Sequence, residues 1–364
     1  MAQEMRDWSE LQHDLLVLIG RRFNLIEDYL NFGTVCKSWH SAATKNNFNS
    51  ELPRVPWLML PEEEEEDKSD SCCRKFFSLY NGMILKKRIL KASGKRCMEC
   101  MGWLITVGKD EGEASLLHPC SVRITTEDFY EHETGYPFTF FRKAVLSASP
   151  SYTSDFVLMV IEGGMRFLID YSGRVLFCDV AGPEPTKRSH IIAQLPFDCR
   201  DRLGHPYIVE SLGSLFIVVR HGVQICKVKD DCDRMRIPLT YIVSENQEEL
   251  RDGEELRYGT ESFRVFKVDL AAAGKVTETR ELGERAFFLG ANASLSVQAS
   301  QFPGIKPNHV YFTDDFFESY AAFVEGGGLD MGVFNLADGS IQMHYEGVSL
   351  SRVCPPTWVT PTLC

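Results

Sequence analysis

The sequence predicts an α+β multi-domain chain, with a small N-terminal module of three helices followed by a large antiparallel all-β domain of propeller-like form. Three observations support this. Residues 8–43 contain two amphipathic blocks with helical spacing, the stretch 52–61 carries three prolines, and from about Phe76 onward short apolar runs alternate with turn residues. We predict a helical module over residues 6–45, an extended bridge with an acidic loop over 46–75, and a β domain over 55–350.

The first block predicts one amphipathic helix. Its apolar residues at i, i+4, i+7 and i+8 are Leu11, Leu15, Leu18 and Ile19, which share one stripe of a 3.6-residue helix. Ser9 followed by Gln12 fits the capping-box spacing, so we expect Ser9 to cap this helix.

The second block predicts two further helices. Asn24 is a suitable N-cap, and Phe32, Val35 and Trp39 recur with helical spacing. Gly33 within this block favours two short helices over one long one. So small a unit buries little surface and usually needs support. That support could come from a partner protein, or the helices could form an ordinary cap packed on the chain's own larger domain.

The order of residues in this region resembles the F-box, a helical module that docks on the adaptor of a cullin ubiquitin ligase. The matching residues are Leu11, Asp14, Leu15, Leu16, Ile19, Arg22, Phe23, Asp28, Leu30, Phe32, Val35, Cys36, Lys37, Ser38 and Trp39. Gln12 departs from the pattern, because F-boxes usually have proline there, which favours the start of a helix. The resemblance implies that the adaptor is contacted by Leu11, Leu15, Leu16, Ile19, Val35, Cys36 and Trp39.

Composition excludes several classes of partner. The net charge of −12 disfavours nucleic acid, whose phosphates require a basic surface, and it disfavours anionic membranes. No apolar run approaches the roughly 20 residues that span a bilayer. The N-terminal residues lack the pattern of a secretory signal, so we expect an intracellular protein, cytoplasmic and/or nuclear.

The twelve cysteines are interpreted as reduced thiols without a metal. Cys97 and Cys100 form a C-x-x-C pair, but a zinc site usually needs a second spaced pair. Cys72 and Cys73 are adjacent and do not supply it. We therefore predict neither a metal nor a cofactor.

The acidic run from Glu62 to Asp67 is predicted to be a solvated surface loop, because adjacent like charges repel each other. After it, we count roughly twenty to twenty-four strand candidates, enough for five to seven four-stranded groups, although no clean internal repeat is evident. Asp338-Gly339 between the apolar runs 331–336 and 340–345 predicts a hairpin.

This region also resembles a known domain. Its matching motifs occupy residues 57–61, 76–80, 102–106, 116–119, 288–296, 302–315, 331–336 and 355–358. They are similar to a kelch-like β domain of unknown function, of the KIB type, that follows the F-box in plant proteins. With the helical module, the resemblance covers nearly the whole chain.

Catalytic residues are not evident. Asp314 and Asp315, with His309 nearby, could suggest acid–base or metal chemistry, and a propeller enzyme acting on a small molecule stays open as an alternative. Adjacent residues of a strand point to opposite faces, however, so we interpret the pair as part of a polar loop that closes a blade. The sequence contains no nucleophile elbow, zinc-binding helix, phosphate loop or dinucleotide motif.

The resemblance therefore implies a non-catalytic substrate-recognition subunit of a cullin-type (SCF) E3 ubiquitin ligase. Its F-box would bind the adaptor and, through it, the cullin, while the β domain would bind a target protein through residues that the sequence does not identify. The alternative is a protein-binding β-propeller outside any ligase that retains a vestigial F-box.

Overall fold

The structure is a computed structural model of the chain. It describes residues 7–49, 54–62, 73–89, 92–108, 114–117, 123–125, 141–146, 158–162, 174–178, 189–196, 205–228, 233–238, 254–270, 274–316, 326–347 and 349–361. The predicted acidic loop lies outside these residues except for Glu62, whose carboxylate pairs with Arg74 at 3.5 Å.

The N-terminal module has the three predicted helices: α1 His13–Gly20, α2 Ile26–Thr34 and α3 Lys37–Ala42. Two of the predicted caps are wrong. Ser9 lies in a short 3-10 turn, and α1 begins after Gln12 because the backbone at Gln12 is still extended. The residue that precedes α2 is Leu25 rather than Asn24, and its backbone is extended as well.

The division of the second block into two helices is confirmed, but Gly33 is not the breaking point. Helix α2 continues through Gly33, and the chain turns at Cys36, whose backbone is fully extended (φ −163°, ψ 176°). A Cβ atom on Gly33 would lie 3.0 Å from the Cβ of Ala43. Glycine at this position therefore permits the close approach of the chain just after α3.

The described residues contain 22 strands. In chain order they are β1 Trp57–Met59, β2 Cys73–Phe77, β3 Ile84–Arg88, β4 Arg96–Cys100, β5 Trp103–Val107, β6 Ala114–Leu117, β7 Arg123–Thr125, β8 Phe141–Leu146, β9 Leu158–Glu162, β10 Arg174–Cys178, β11 Ser189–Gln194, β12 His205–Ser211, β13 Ser214–Val228, β14 Asp233–Pro238, β15 Glu254–Asp269, β16 Lys275–Thr279, β17 Arg285–Leu289, β18 Ser294–Gln298, β19 His309–Phe312, β20 Gly332–Asn335, β21 Ile341–Gln342 and β22 Thr357–Val359.

These strands form six sheets of two to five strands each, and the predicted number of four-stranded groups stays a prediction. Their orders are β22-β1-β2-β3, β4-β5-β6-β7, β8-β9, β10-β11, β12-β13-β15-β16 with β14 also on β13, and β18-β17-β19-β20-β21. The pairings are antiparallel as expected, with one exception, because β17 and β19 run parallel. The predicted hairpin at Asp338-Gly339 is present and joins β20 to β21.

The first sheet joins the two ends of the β domain. The last strand, β22, pairs with the first, β1, and Leu58 lies opposite Trp358. The indole Nε1 of Trp358 also donates a hydrogen bond to the carbonyl of Leu289 at 3.0 Å. The predicted end of the domain at residue 350 was therefore too early, since the strand that completes this sheet lies beyond it.

Two hairpins share one turn design, a repeat that the sequence reading missed. Met101 and Gly102 join β4 to β5, and Leu212 and Gly213 join β12 to β13, with positive φ at all four residues. In both hairpins a glutamate three residues before the glycine accepts a hydrogen bond from the glycine N–H, at 2.6 and 2.7 Å. Both turns also share the sequence pattern Glu-x-x-Gly, with a large apolar residue before the glycine, so the repeat could have been found in the sequence.

Candidate functional site

The helical module has a small core of its own. Leu16, Phe32 and Ala42 are buried, and Leu11 and Trp39 pack against them. Leu16 is 0% exposed. We therefore remove Leu16 from the predicted adaptor contacts, because its side chain is enclosed by the module itself.

The module also carries large apolar side chains on its surface. Five of them, which we call the exposed apolar set, are Trp8 (65% exposed), Leu15 (45%), Leu18 (57%), Ile19 (37%) and Val35 (58%). Leu15, Leu18 and Ile19 are spaced at i, i+3 and i+4, so they lie on one face of α1. Full burial of such a side chain stabilises by roughly 1.5 to 3 kcal/mol, so a partner could gain considerable free energy here.

Trp39 is half-buried and has a supporting role. Its ring centroid lies 4.8 Å from that of Phe32, and its indole Nε1 donates to the carbonyl of Trp8 at 3.0 Å. Trp39 thus holds the turn that exposes Trp8. The remaining predicted residues, Leu11 and Cys36, are also half-buried.

The predicted adaptor contacts therefore divide by position. Leu15, Ile19 and Val35 are exposed, Leu11, Cys36 and Trp39 are half-buried, and Leu16 is buried. The predicted set omitted Trp8 and Leu18. Leu18 was recognisable from the stripe of α1, whereas Trp8 lies outside any helical period and gave no signal.

The opposite side of the module packs on the β domain. Ile26, Tyr29 and Phe48 share one apolar cluster with Trp57 and Phe76 of the first sheet. The predicted cap on the chain's own domain is confirmed for α2, and support by a partner protein stays a prediction. The module caps its own domain through α2, while α1 retains an apolar face in contact with solvent.

A second group of polar side chains lies inside the β domain, centred on Arg220, which is fully buried. Its Nη1 donates to Asp315 at 2.6 Å, its Nη2 to Asp330 at 2.8 Å, and its Nε to the hydroxyl of Thr260 at 2.7 Å. Burial lowers the pKa of Arg220, but Tyr207 and the two carboxylates more than offset it, so its pKa is raised. We call these residues the Arg220 cluster.

Asp314 lies beside this cluster and is also buried. Its Oδ2 accepts from the hydroxyl of Tyr258 at 2.6 Å and from the N–H groups of residues 328–330. Burial and the neighbouring Asp330 raise the pKa of Asp314 to about 6. Among the described residues, its Oδ1 has no hydrogen-bond partner.

Asp314 and Asp315 lie in a loop after β19, as predicted, and both are buried. The expectation that their carboxylates point apart is confirmed, since Asp315 faces Arg220 and Asp314 faces Tyr258. His309 lies at the far end of β19, where its Nδ1 contacts the carbonyl of Pro307. With no shared site for these three side chains, we interpret the Arg220 cluster as structural.

The cysteines show one unexpected contact. Cys97 and Cys354 are free, buried and hydrogen-bonded to each other, although they are distant in sequence. The Cys97 thiol and the positive charge of Arg74 lower the pKa of Cys354 to about 6. Cys97 therefore pairs with a residue near β22 rather than with Cys100 of its own C-x-x-C motif.

Within the described ranges, no group of three or more His, Cys, Asp or Glu side chains is arranged to hold a metal ion. None of the helices that the structure describes is long and apolar enough to cross a membrane.

The sequence is similar to one protein family and to several plant proteins. The sequence profile of the KIB1-4 beta-propeller family matches residues 162–335. Putative F-box protein At1g65770 of Arabidopsis thaliana is 26% identical over 93% of this chain and 98% of its own length. Probable F-box protein At1g65740 is 24% identical (85% and 91%), and F-box protein SKIP23 is 23% identical (98% and 96%), both from the same plant.

A solved structure of a protein from Lactobacillus plantarum aligns with 84% of this chain and 99% of its own at 10% identity, with a TM-score of 0.31, too low to establish a shared fold. The F-box relatives, in contrast, extend over both the helical module and the β domain. Residues 162–335 are thus similar to the KIB1-4 beta-propeller family, and the chain as a whole is similar to plant proteins that are named F-box proteins.

Proposed function

We propose that this chain is the substrate-recognition subunit of an SCF-type E3 ubiquitin ligase. Its F-box binds the adaptor and, through it, the cullin, and its β domain binds a target protein. The observation that carries the proposal is the exposed apolar set, of which four members lie on α1 or in the turn before it and Val35 directly follows α2, while α2 itself packs on the β domain.

The chemistry of the exposed apolar set suits a permanent protein partner. Large apolar side chains concentrated on one small module mark an interaction surface, whereas single exposed ones are common and need no explanation. Trp8 adds an aromatic residue, a type enriched among the residues that dominate binding energy. Because this contact is mainly apolar, we expect adaptor binding to depend weakly on salt concentration.

The chain's own contribution to ubiquitin transfer is proximity. A target held on the β domain meets the ubiquitin carrier at a raised effective concentration, which by itself speeds transfer to a target lysine. We propose that the chain performs no chemical step. The Arg220 cluster fits this view, because Arg220 is fully buried and its donors are occupied by protein groups.

Co-expression of the full chain with the plant SCF adaptor, followed by affinity capture, tests the proposal. The double variant Leu15→Lys with Ile19→Lys places two charges on the exposed face of α1 and should abolish capture. The control Ile191→Lys alters a side chain of β11 that is 57% exposed, and it should leave capture unchanged.

Two results would contradict the proposal. If the wild-type chain does not retain the adaptor, the β domain would belong to a binding protein with a vestigial F-box. If the α1 double variant is captured as well as the wild type, the adaptor contact would lie elsewhere on the chain.

A further inference from the structure

A glutamate is buried where the helical module meets the β domain. Glu27 is the second residue of α2 and is 1% exposed. Its Oε1 accepts a hydrogen bond from the indole Nε1 of Trp57 at 2.7 Å and another from the hydroxyl of Ser78 at 2.6 Å. Trp57 begins β1, and Ser78 follows β2 in the turn to β3. One oxygen atom of the module therefore binds two separate parts of the first sheet.

The surroundings of Glu27 explain how a carboxylate is tolerated there. The N-terminus of a helix carries partial positive charge, and Glu27 lies in the first turn of α2. Hydrogen bonds to an ionised oxygen are also shorter and stronger than those between neutral groups. Ser78 is itself held in place, because its backbone N–H donates to the carbonyl of Met83 at 2.9 Å and its hydroxyl accepts from the N–H of Tyr80.

The apolar contacts around Glu27 cannot supply the same precision. Ile26 and Tyr29 of α2 and Phe48 pack against Trp57 and Phe76. Such contacts are strong but non-directional, and they tolerate small rotations of one surface on another. Hydrogen bonds are sensitive to angle as well as to distance, so the two donors to Glu27 restrict both rotation and translation.

We propose that Glu27 is a positioning residue that locks the helical module to the first sheet in one orientation. The contact between the module and the first sheet, which we call the seam, is made by α2. The exposed apolar side chains Leu15, Leu18 and Ile19 lie on α1 instead. The functional meaning of the lock rests on the proposed function. In a receptor of this kind, a fixed seam would hold a bound target at one distance and angle from the adaptor, and so determine which lysine of the target is reached.

A purely structural role predicts something different. If Glu27 only stabilised the fold, its replacement would lower the melting temperature while the module kept its orientation. If Glu27 positions the module, the orientation becomes variable at temperatures where both parts are still folded. The distance between one site on the module and one on the β domain separates these two cases.

The experiment uses the full chain without any partner. Spin labels are placed through genetically encoded side chains, which avoids the twelve native cysteines, at Lys37 of α3 and Lys275 of β16, both exposed. Pulsed electron paramagnetic resonance gives the distribution of distances between the two spin labels. This distribution is compared for wild type, Glu27→Ala and Glu27→Gln. The matched control is Glu10→Gln, since Glu10 is an exposed glutamate of the same module.

We expect a single narrow distance in the wild type and in Glu10→Gln. Glu27→Ala should broaden the distribution at least twofold. Glu27→Gln keeps a side-chain oxygen acceptor, so its distribution should be narrower than that of Glu27→Ala, though still broader than that of the wild type. If Glu27→Ala fails to fold, Trp57→Phe provides the second variant, because it removes one donor and retains an aromatic ring. It should broaden the distribution as well.

The proposal is overturned if Glu27→Ala or Trp57→Phe folds and keeps the wild-type width. It is equally overturned if the wild-type distribution is already broad. Neither result depends on adaptor binding, so a failure of the proposed ligase function and a failure of the positioning role would be seen separately.

Discussion

Two apolar runs of this chain differ in burial, one being mostly exposed and the other fully buried. Helix α1 contains five consecutive apolar residues, 15–19, of which only Leu16 is buried. Strand β17 contains the run 286–289, in which every side chain is 0% exposed. The helix directs its side chains around its whole circumference, but the small module covers one side of it. The strand is central in its sheet and has apolar clusters on both faces.

The difference teaches that hydrophobicity in the sequence does not decide burial. The number of covering surfaces that the fold supplies decides it. β17 has covering surfaces from its own domain on both faces, whereas the described residues supply α1 with a covering surface on one side only. An apolar helix that the rest of the chain leaves uncovered is therefore where a partner protein is expected.

The largest effect is expected where the β domain encloses charge. Arg220→Met should lower the free energy of unfolding by about 3 to 5 kcal/mol, because Asp315 and Asp330 lose their buried cation. Arg264→Met is the control, since its ion pair with Glu278 is partly exposed and is worth under about 1 kcal/mol. Denaturant unfolding measures the free energy of unfolding of both variants. If the two variants lost the same free energy, the Arg220 ion pairs would be no more buried than the Arg264 pair, and the prediction would be contradicted.

Helix α1 offers the sharpest internal comparison, between Leu16 and its neighbour Leu15. Leu16→Ala should cost about 2 to 5 kcal/mol, because it empties a fully enclosed site in the module. Leu15→Ala should change stability by less than about 0.5 kcal/mol, since its side chain is already half exposed, and should instead weaken adaptor binding. Thermal unfolding and adaptor titration of both variants check this, and a reversed order would show that the two sides of α1 were assigned incorrectly.

A pH effect should arise from Glu99, at the end of β4. Burial raises the pKa of Glu99 from 4.5 to about 7. The folded state then holds the proton more tightly than the unfolded state, so the contribution of Glu99 to stability falls as pH rises from about 4.5 to about 7. Glu99→Gln remains neutral and should be more stable than the wild type above pH 7, by up to about 3 kcal/mol.

Below about pH 4.5 this advantage should vanish, because the wild-type carboxyl is then protonated in both states. Urea unfolding of the wild type and of Glu99→Gln at several pH values measures the difference directly. A stability difference that does not change with pH would show that Glu99 has no raised pKa in the folded protein.

The smallest effect concerns the start of α1. Gln12 has φ −59° and Leu11 has ψ 135°, angles that suit proline and the residue before it. Gln12→Pro should therefore stabilise the module by about 0.4 to 1 kcal/mol, because the unfolded chain loses freedom, and should tighten adaptor binding slightly. Scanning calorimetry measures the melting temperature of Gln12→Pro, and titration with the adaptor measures its affinity. A lower melting temperature than that of the wild type would contradict the backbone angles at Leu11 and Gln12.

The sequence predicted the three helices, the change to strands and the hairpin at Gly339, since periodicity and turn residues encode these features locally. It missed what depends on contacts between distant residues. The pairing of β22 with β1, the contact of Cys97 with Cys354 and the burial of Asp315 against Arg220 join residues far apart in the chain.

Within the candidate site, the sequence placed Leu15, Ile19 and Val35 on the surface only through a family resemblance. Periodicity alone could not tell which side of α1 would be covered, so Leu16 was included in the contact set incorrectly. The exposure of Trp8 depends on its contact with Trp39, which lies in a different helix and leaves no periodic trace.

A footprint of the adaptor on the full chain tests most directly whether the exposed apolar set forms the adaptor contact. Hydroxyl-radical labelling of the free and adaptor-bound protein reports the exposure of each side chain. We expect labelling of Trp8, Leu15 and Leu18 to fall several-fold on binding, while Leu212 and Met343 of the β domain, exposed in the free chain, are unaffected. A bound complex in which the three residues of the module label as strongly as in the free chain would contradict this expectation.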